Sequence, residues 1–361
     1  MTTFVQLHLL TSYPPGNLNR DDLGRPKTAK MGGFNRLRIS SQSLKRAWRI
    51  SPLFEEALGG HVGKRTKQLG VRVYQTMKEK GVEEKLAEKC AQNIAEVFGK
   101  LKSNKDKDKP LQHLEIEQLV HVSPIEQQKI DQLTELLIQE KREPTAVELE
   151  LLTKERLAVD IAMFGRMLAD KPEYNVQASI QVAHAISVHS VAIEDDYFTA
   201  VDDLNDKNVS TGSAHIGESG FAAALFYLYI CIDRDLLLHH LQGDQTLADK
   251  VLAAFIETAV KVPPKGKQNS FATRAYASYA LAEIGSQQPR SLSVAFLKPI
   301  NGLDYPEEAV EALKNQKDAI ERVFGHCSQA SYEFNAFQGK GTLSELLKFI
   351  CLTEKTECLT T

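Results

Sequence analysis

The chain has 361 residues, 42% hydrophobic and 25% charged, with 44 Lys and Arg against 47 Asp and Glu and a formal net charge of −3. A chain of this length buries most of its apolar surface, as one domain with insertions or as two domains. Its five cysteines (Cys90, Cys231, Cys327, Cys351, Cys358) are scattered, odd in number and never in a CxxC pair; this points to reduced thiols in a cytoplasmic setting and excludes a visible zinc framework.

The charge is unevenly placed. Residues 1–50 hold nine bases and two acids (+7), which leaves 35 bases and 45 acids (−10) in the rest. A basic head on an acidic body suits a focused anion site and copies that stack head to body. The opening MTTFVQLHLLTSY alternates like a strand and lacks the basic and apolar regions of a signal peptide. The longest apolar run, Phe221 to Ile232, spans 12 residues, too few to cross a bilayer, so no membrane partner is expected.

In chain order, Phe4 to Leu10 reads as a strand with Val5, Leu7 and Leu9 on its buried face. A loop over Thr11 to Phe34 follows, rich in Pro and Gly, and a loop of that length in a compact domain is functional or disordered. Between Asp22 and Glu55 there is no acid, yet Arg25, Lys27, Lys30, Arg36, Arg38, Lys45, Arg46 and Arg49 all fall there. Ser40 or Ser41 caps a helix in this run. On it Leu44, Ala47 and Trp48 share one face, while Lys45 and Arg49 form a two-cation clamp on another. A helix start, hydroxyls and paired cations hold phosphate oxygens without reading bases.

From Ser51 to Asn175 the pattern turns helical and polar. It contains a helix within Val82 to Lys100, another opened by the capping box Ser123-Pro124-Glu126 and running to about Gln139, and a third near Thr145 to Leu157. Val176 to Val191 and Phe221 to Ile232 read as strands. Between them, the acidic, aromatic-tipped stretch Ala192 to Gly220 reads as a projecting hairpin. Thr246 to Val262 is an amphipathic helix; Lys265 and Lys267 in the following loop are either auxiliary phosphate contacts or a solvated loop. Tyr276 to Ile284 and Ser291 to Leu297 are strand-like, Pro306 to Phe324 is helical, and a short helix follows Gly339. Without the insertions the order is βαββαβ, the α+β ferredoxin-like plan of RNA-recognition domains.

Five blocks of sequence carry more. LNRDD (Leu18 to Asp22), RISSQSLKRAWR (Arg38 to Arg49), VDIAMFGRM (Val159 to Met167), AHAISVHSV (Ala183 to Val191) and YFTAVDDL with GSAHIG (Tyr197 to Gly217) together resemble the CasC family, the backbone subunits of the type I-E CRISPR Cascade complex. The match is colinear over roughly the first two thirds of the chain; residues 58–150 and the last third match only in pattern. The family helix usually has methionine where this chain has Trp48.

The resemblance implies a hand-shaped, non-catalytic RNA-binding scaffold. Its parts would be an RNA-recognition-like palm (1–57, 176–191 and 221–361, the first part carrying the basic helix), a helical fingers insertion (58–175) and a hairpin thumb (192–220). Its partners would be guide crRNA, the target DNA strand, further copies of itself in a filament, and the large, small, guide-capping and crRNA-processing Cascade subunits. Residue by residue, Arg20, Ser40, Gln42, Lys45, Arg46 and Arg49 would hold guide phosphates and sugars, with Arg36, Arg38, Lys265 and Lys267 beside them. Met167, which reads as core by pattern alone, would be an apolar wedge against bases; Phe198, Thr199 and Val201 would lie in the thumb beside a displaced nucleotide. No cofactor, metal or catalytic residue is expected, and Asp21 is expected to orient Arg20. Two alternatives stand against the scaffold: a ribonuclease subunit of type III character using Asp21 or Asp22, and a protein-only filament.

Overall fold

The computed structural model describes residues 2–103, 109–154, 157–200 and 215–351. In chain order the elements are β1 (Phe4–Gly16), β2 (Thr28–Met31), β3 (Phe34–Ile39), α1 (Ser41–Arg49), α2 (Pro52–Leu58), β4 (Lys64–Thr66), α3 (Leu69–Glu79), α4 (Glu84–Glu96), β5 (Val120–Val122), α5 (Pro124–Glu140) and α6 (Val159–Phe164). They continue as β6 (Ile180–Val182), β7 (Ala185–Ser187), β8 (Glu194–Ala200), β9 (His215–Asp233), α7 (Arg234–His240), α8 (Gln245–Lys261), α9 (Gln268–Phe271), β10 (Tyr279–Gly285), α10 (Tyr305–Phe324), β11 (Ala330–Asn335) and α11 (Leu343–Cys351). The chain divides into two units: residues 1–54, 181–233 and 252–361 form one, and 55–180 with 234–251 form the other. These limits fall close to the expected 57/58 and 175/176 boundaries, but residues 234–251, expected in the palm, group with the second unit.

The first unit is built on a sheet of order β11-β10-β1-β9-β7-β3-β2, with β6 and β8 also paired to β9. Its central neighbours β10, β1, β9 and β7 run antiparallel to one another. Because β1 has a strand on each side and packing on both faces, Val5 to Leu10 are all buried. The expected single buried face is therefore incorrect, since Gln6 and His8 lie inside as well. Their polar atoms are satisfied there, as a buried polar group requires. His8 Nδ1 is 2.9 Å from the Tyr227 hydroxyl and Nε2 is 3.2 Å from a Glu283 carboxylate oxygen. Arg290 closes the network with two bonds to Glu283 at 2.7 and 2.9 Å, and Tyr229 donates to Gln6. Below it, Leu10, Tyr227, Tyr279 and Leu281 pack with Leu292, Phe296 and the α10 residues Ala309, Val310 and Leu313.

Two local expectations fail for tertiary reasons. Ser291 to Leu297 is not a strand: residues Ser293–Phe296 form a 3₁₀ turn, which lets Leu292 and Phe296, four apart, enter the same core. Half of the expected long loop is strand, because β1 continues to Gly16 against β9 and β2 pairs with β3.

In the second unit α3, α4 and α5 enclose a core of Val73, Met77, Ala91, Ile94, Ile130, Leu133 and Leu137. Helix α5 opens on the expected capping box, with Ser123 and Glu126 each accepting from the other's backbone N–H. Glu126 also receives two bonds from the buried Arg166 at 2.8 and 2.9 Å. The helix expected over Thr145 to Leu157 is absent from its described residues. There the chain turns and runs irregularly, and Leu151 and Leu152 enter the core from an extended stretch.

Candidate nucleic-acid interface

The basic helix α1 is fixed at its start and along one face. Ser40 caps it through Oγ, which accepts from the Ser43 N–H at 3.4 Å, and the Asn19 side chain accepts the Ser40 N–H at 2.9 Å. The Asn19 bond ties the preceding loop to the helix start. Leu44, Ala47 and Trp48 are buried as their spacing predicts. The Trp48 ring meets Phe255 edge-on at 5.5 Å, and its N–H donates to Val262 O at 3.2 Å. The outward positions are Gln42 and Arg46, four apart and exposed; Lys45 and Arg49, read as the clamp, are half-buried.

Beside the helix, the Asp21 carboxylate accepts the N–H groups of Leu23 and Arg25 at 3.0 and 2.9 Å. It shapes the turn and does not pair with Arg20, so the expected orienting role is corrected. Arg20, exposed at the start of this turn, joins Ser43, Arg46 and Lys265 around a hollow of about 420 Å³. Lys265 reaches it because Gly266 presses on the backbone of Leu18. A Cβ at position 266 would stand 2.1 Å from Leu18 O, closer than any side chain permits.

The hollow is flanked by a larger groove of about 1270 Å³, lined by Arg20, Lys261, Lys265, Lys267, Arg274 and Tyr276 among others, with no Asp or Glu in its lining. Lys261 is bonded to Glu257, and Lys267 donates to Ser219 Oγ at 2.7 Å. Among the described residues the side chains of Arg20, Arg46, Lys265 and Arg274 have no hydrogen-bond or ion-pair partner. Lys261, Arg274 and Tyr276 escaped the sequence reading. The signal was present: no acid falls between Glu257 and Glu283, the same signature as in the first basic run.

Arg36, expected beside the other cations, does not reach the surface. Its side chain is fully buried, and its guanidinium donates to Ser187 O at 3.0 Å and Phe296 O at 2.7 Å. Burial pushes its pKa down, and the role is to stitch β3 to β7 and to the 3₁₀ turn. Arg38 donates to Nδ1 of His184 at 2.9 Å, which leaves the imidazole proton on the other nitrogen. Burial first, and then the charges of Arg38 and Lys27, hold the His184 pKa low.

Met167 is 75% exposed between the buried Arg166 and Leu168, which overturns the core reading. Phe198 and Thr199 stand exposed on β8, and the Phe198 ring lies over Gly217 of the paired strand, where a Cβ would come within 2.4 Å of it. Val201 lies outside the described residues. Among the described residues there is no group of three His, Cys, Asp or Glu placed to hold a metal ion. Among them, too, no helix is long and apolar enough to cross a membrane.

The fold is that of chains found in CRISPR surveillance complexes. A chain from a structure described as "CRISPR RNA-guided surveillance complex, pre-nicking" superposes with a TM-score of 0.81 at 28% identity, covering 96% of this chain and 99% of that one. A second, from a "CRISPR RNA-guided surveillance complex", gives a TM-score of 0.60 at 24% identity, covering 96% and 98%, and speaks to the fold alone. The chain belongs to the CT1975-like protein family, whose model matches residues 5–347. Family and fold together support the resemblance to CasC. No curated protein matches the chain.

Proposed function

We propose that this chain is a backbone subunit of a type I-E Cascade surveillance complex, which binds guide crRNA by its phosphates and sugars, polymerises along it and presents its bases to a target DNA strand. The observation that carries this reading is the convergence of Arg20, Arg46 and Lys265, none with a partner of its own among the described residues, around one hollow beside the capped start of α1. A guide used against any target is gripped by its backbone, because contacts to base edges would fix one sequence and occupy the atoms needed for pairing. Unpaired cations and hydroxyls supply such a grip. The order β10-β1-β9-β7 is the one a βαββαβ chain adopts in an RNA-recognition-type palm, which supports the same reading.

In this reading β8 and the first part of β9 form the base of the thumb, with Phe198 and Thr199 on its surface, and Met167 is a wedge from the fingers. If about five phosphates are neutralised per subunit, counterion release gives a salt slope of roughly −3.5. Avidity along one guide offsets that sensitivity. The cleavage alternative is weakened by the turn: one carboxylate oxygen of Asp21 is already committed to two backbone N–H groups.

The test is to purify the chain with the products of its neighbouring genes and sequence the RNA that comes with it. Repeat-flanked spacer transcripts are expected. Transfer RNA fragments, or protein assemblies that survive ribonuclease treatment unchanged, would overturn the proposal.

A further inference from the structure

One side chain in the large groove is not explained by a backbone grip. Tyr276 is 66% exposed, and among the described residues its ring meets no other aromatic and its hydroxyl has no hydrogen-bond partner. Nor does it belong to a loose loop. The next two N–H groups are fixed, Ala277 to Val260 O and Ser278 to Leu10 O, each at 2.8 Å, and β10 begins at Tyr279. On the other side the left-handed Ala272, at φ 50°, turns the chain so that Arg274 and Tyr276 line the same groove. The ring therefore stands on a rigid pedestal at the end of the sheet, in a cavity whose charged lining is Arg20, Lys261, Lys265, Lys267 and Arg274.

An exposed aromatic among cations, with no acid in the lining, is poorly matched to a cationic partner and suits an anionic one that also offers a flat face to the ring. A phosphate takes nothing from an aromatic ring, but the base attached to it stacks there, and every base has a face to offer. We propose that this groove is a stacking site for one nucleobase of a single-stranded polynucleotide, with Tyr276 as the platform and Arg274 and Lys265 taking the flanking phosphates. The inference rests on the nucleic-acid reading above and adds a base contact that carries no sequence preference, so it is compatible with a guide of any sequence.

The experiment compares the full chain with Tyr276→Ala and Tyr276→Phe on two probes of equal length, oligouridylate and an abasic strand with the same backbone, each titrated at several salt concentrations. Loss of one stacked base weakens binding roughly five- to a hundredfold. Tyr276→Ala should show that loss on oligouridylate with its salt slope unchanged, no loss on the abasic strand, and recovery in Tyr276→Phe. The same loss on oligodeoxythymidylate supports stacking, which needs no 2′-hydroxyl; a loss confined to RNA would overturn it. Equal losses on both uridine and abasic probes would overturn it too, since they would mean that the ring touches protein or backbone. An Arg20→Ala, Arg46→Ala, Lys265→Ala triple variant separates the two ideas. If it binds RNA like the parent, the nucleic-acid reading itself fails. If it is weakened while Tyr276→Ala is not, only the stacking site fails.

Discussion

Replacing Arg20, Arg46 and Lys265 by alanine removes the three cations of the hollow that have no other work among the described residues. Each single-strand phosphate that is no longer neutralised makes the salt slope shallower by about 0.7, so the triple variant should move from about −3.5 to about −1.4. Between about 50 and 200 mM salt the parent then loses roughly a hundredfold in affinity and the variant less than about tenfold. All three residues are exposed, so thermal stability should shift by no more than about 0.5 kcal/mol per site. The assay is fluorescence anisotropy with one labelled guide at four salt concentrations, alongside a denaturation curve. Arg36→Met is the control: its buried guanidinium faces two carbonyls, so the slope should stay at the parent value while stability falls by about 1–3 kcal/mol for the carbonyls left unpaired. A parental slope in the triple variant, or a reduced slope in Arg36→Met, would refute the assignment of the grip.

Trp48→Ala removes a side chain only 1% exposed, its packing on Phe255 and its bond to Val262; it should cost about 3–5 kcal/mol in urea denaturation and loosen α1. Gly266→Ala should lower guide affinity without removing any charge, because the loop carrying Lys265 and Lys267 must back away from Leu18; a parental affinity would show that the close approach is dispensable. Stability should also fall on acidification in two stages. Burial holds the His8 pKa below its ordinary 6.5, so below that pH the unfolded chain takes up a proton that the folded chain refuses. Burial alone would raise Glu283, but the bonds from His8 and Arg290 outweigh it and bring its pKa down from 4.5 to about 2, so its contribution is lost between those values. In His8→Gln the first stage should shrink in urea midpoints measured between pH 7 and 5, what remains coming from His184, whose pKa is also held low.

The basic helix α1 was legible because its determinants are local. The cap Ser40, the apolar face of Leu44, Ala47 and Trp48, and the outward Arg46 lie within one short stretch, and helical spacing assigns each its side. The capping box at Ser123 was readable for the same reason, since its two partners are three residues apart. Charge counting marked the segment as basic, but it could not separate Arg36 from Arg46, because charge says nothing of burial. Arg36 is withdrawn by carbonyls 151 and 260 residues further along the chain. Lys45 and Arg49 were likewise assigned to an open face from spacing alone, without the neighbours that half-cover them.

What the sequence determined by itself, then, was the composition of a cation-rich face, the helix that carries it and the resemblance to CasC. Where those cations meet was decided only by the tertiary structure. Gly266 lying on Leu18 and Thr273 packed close over Gly16 bring the Lys265 to Tyr276 segment beside Arg20. Those approaches join stretches some 250 residues apart, and no local periodicity can encode which distant backbone a loop will rest on. The physical reason is that propensity and spacing act over a few residues, whereas burial and the closing of a groove are set by whatever the rest of the sheet brings alongside.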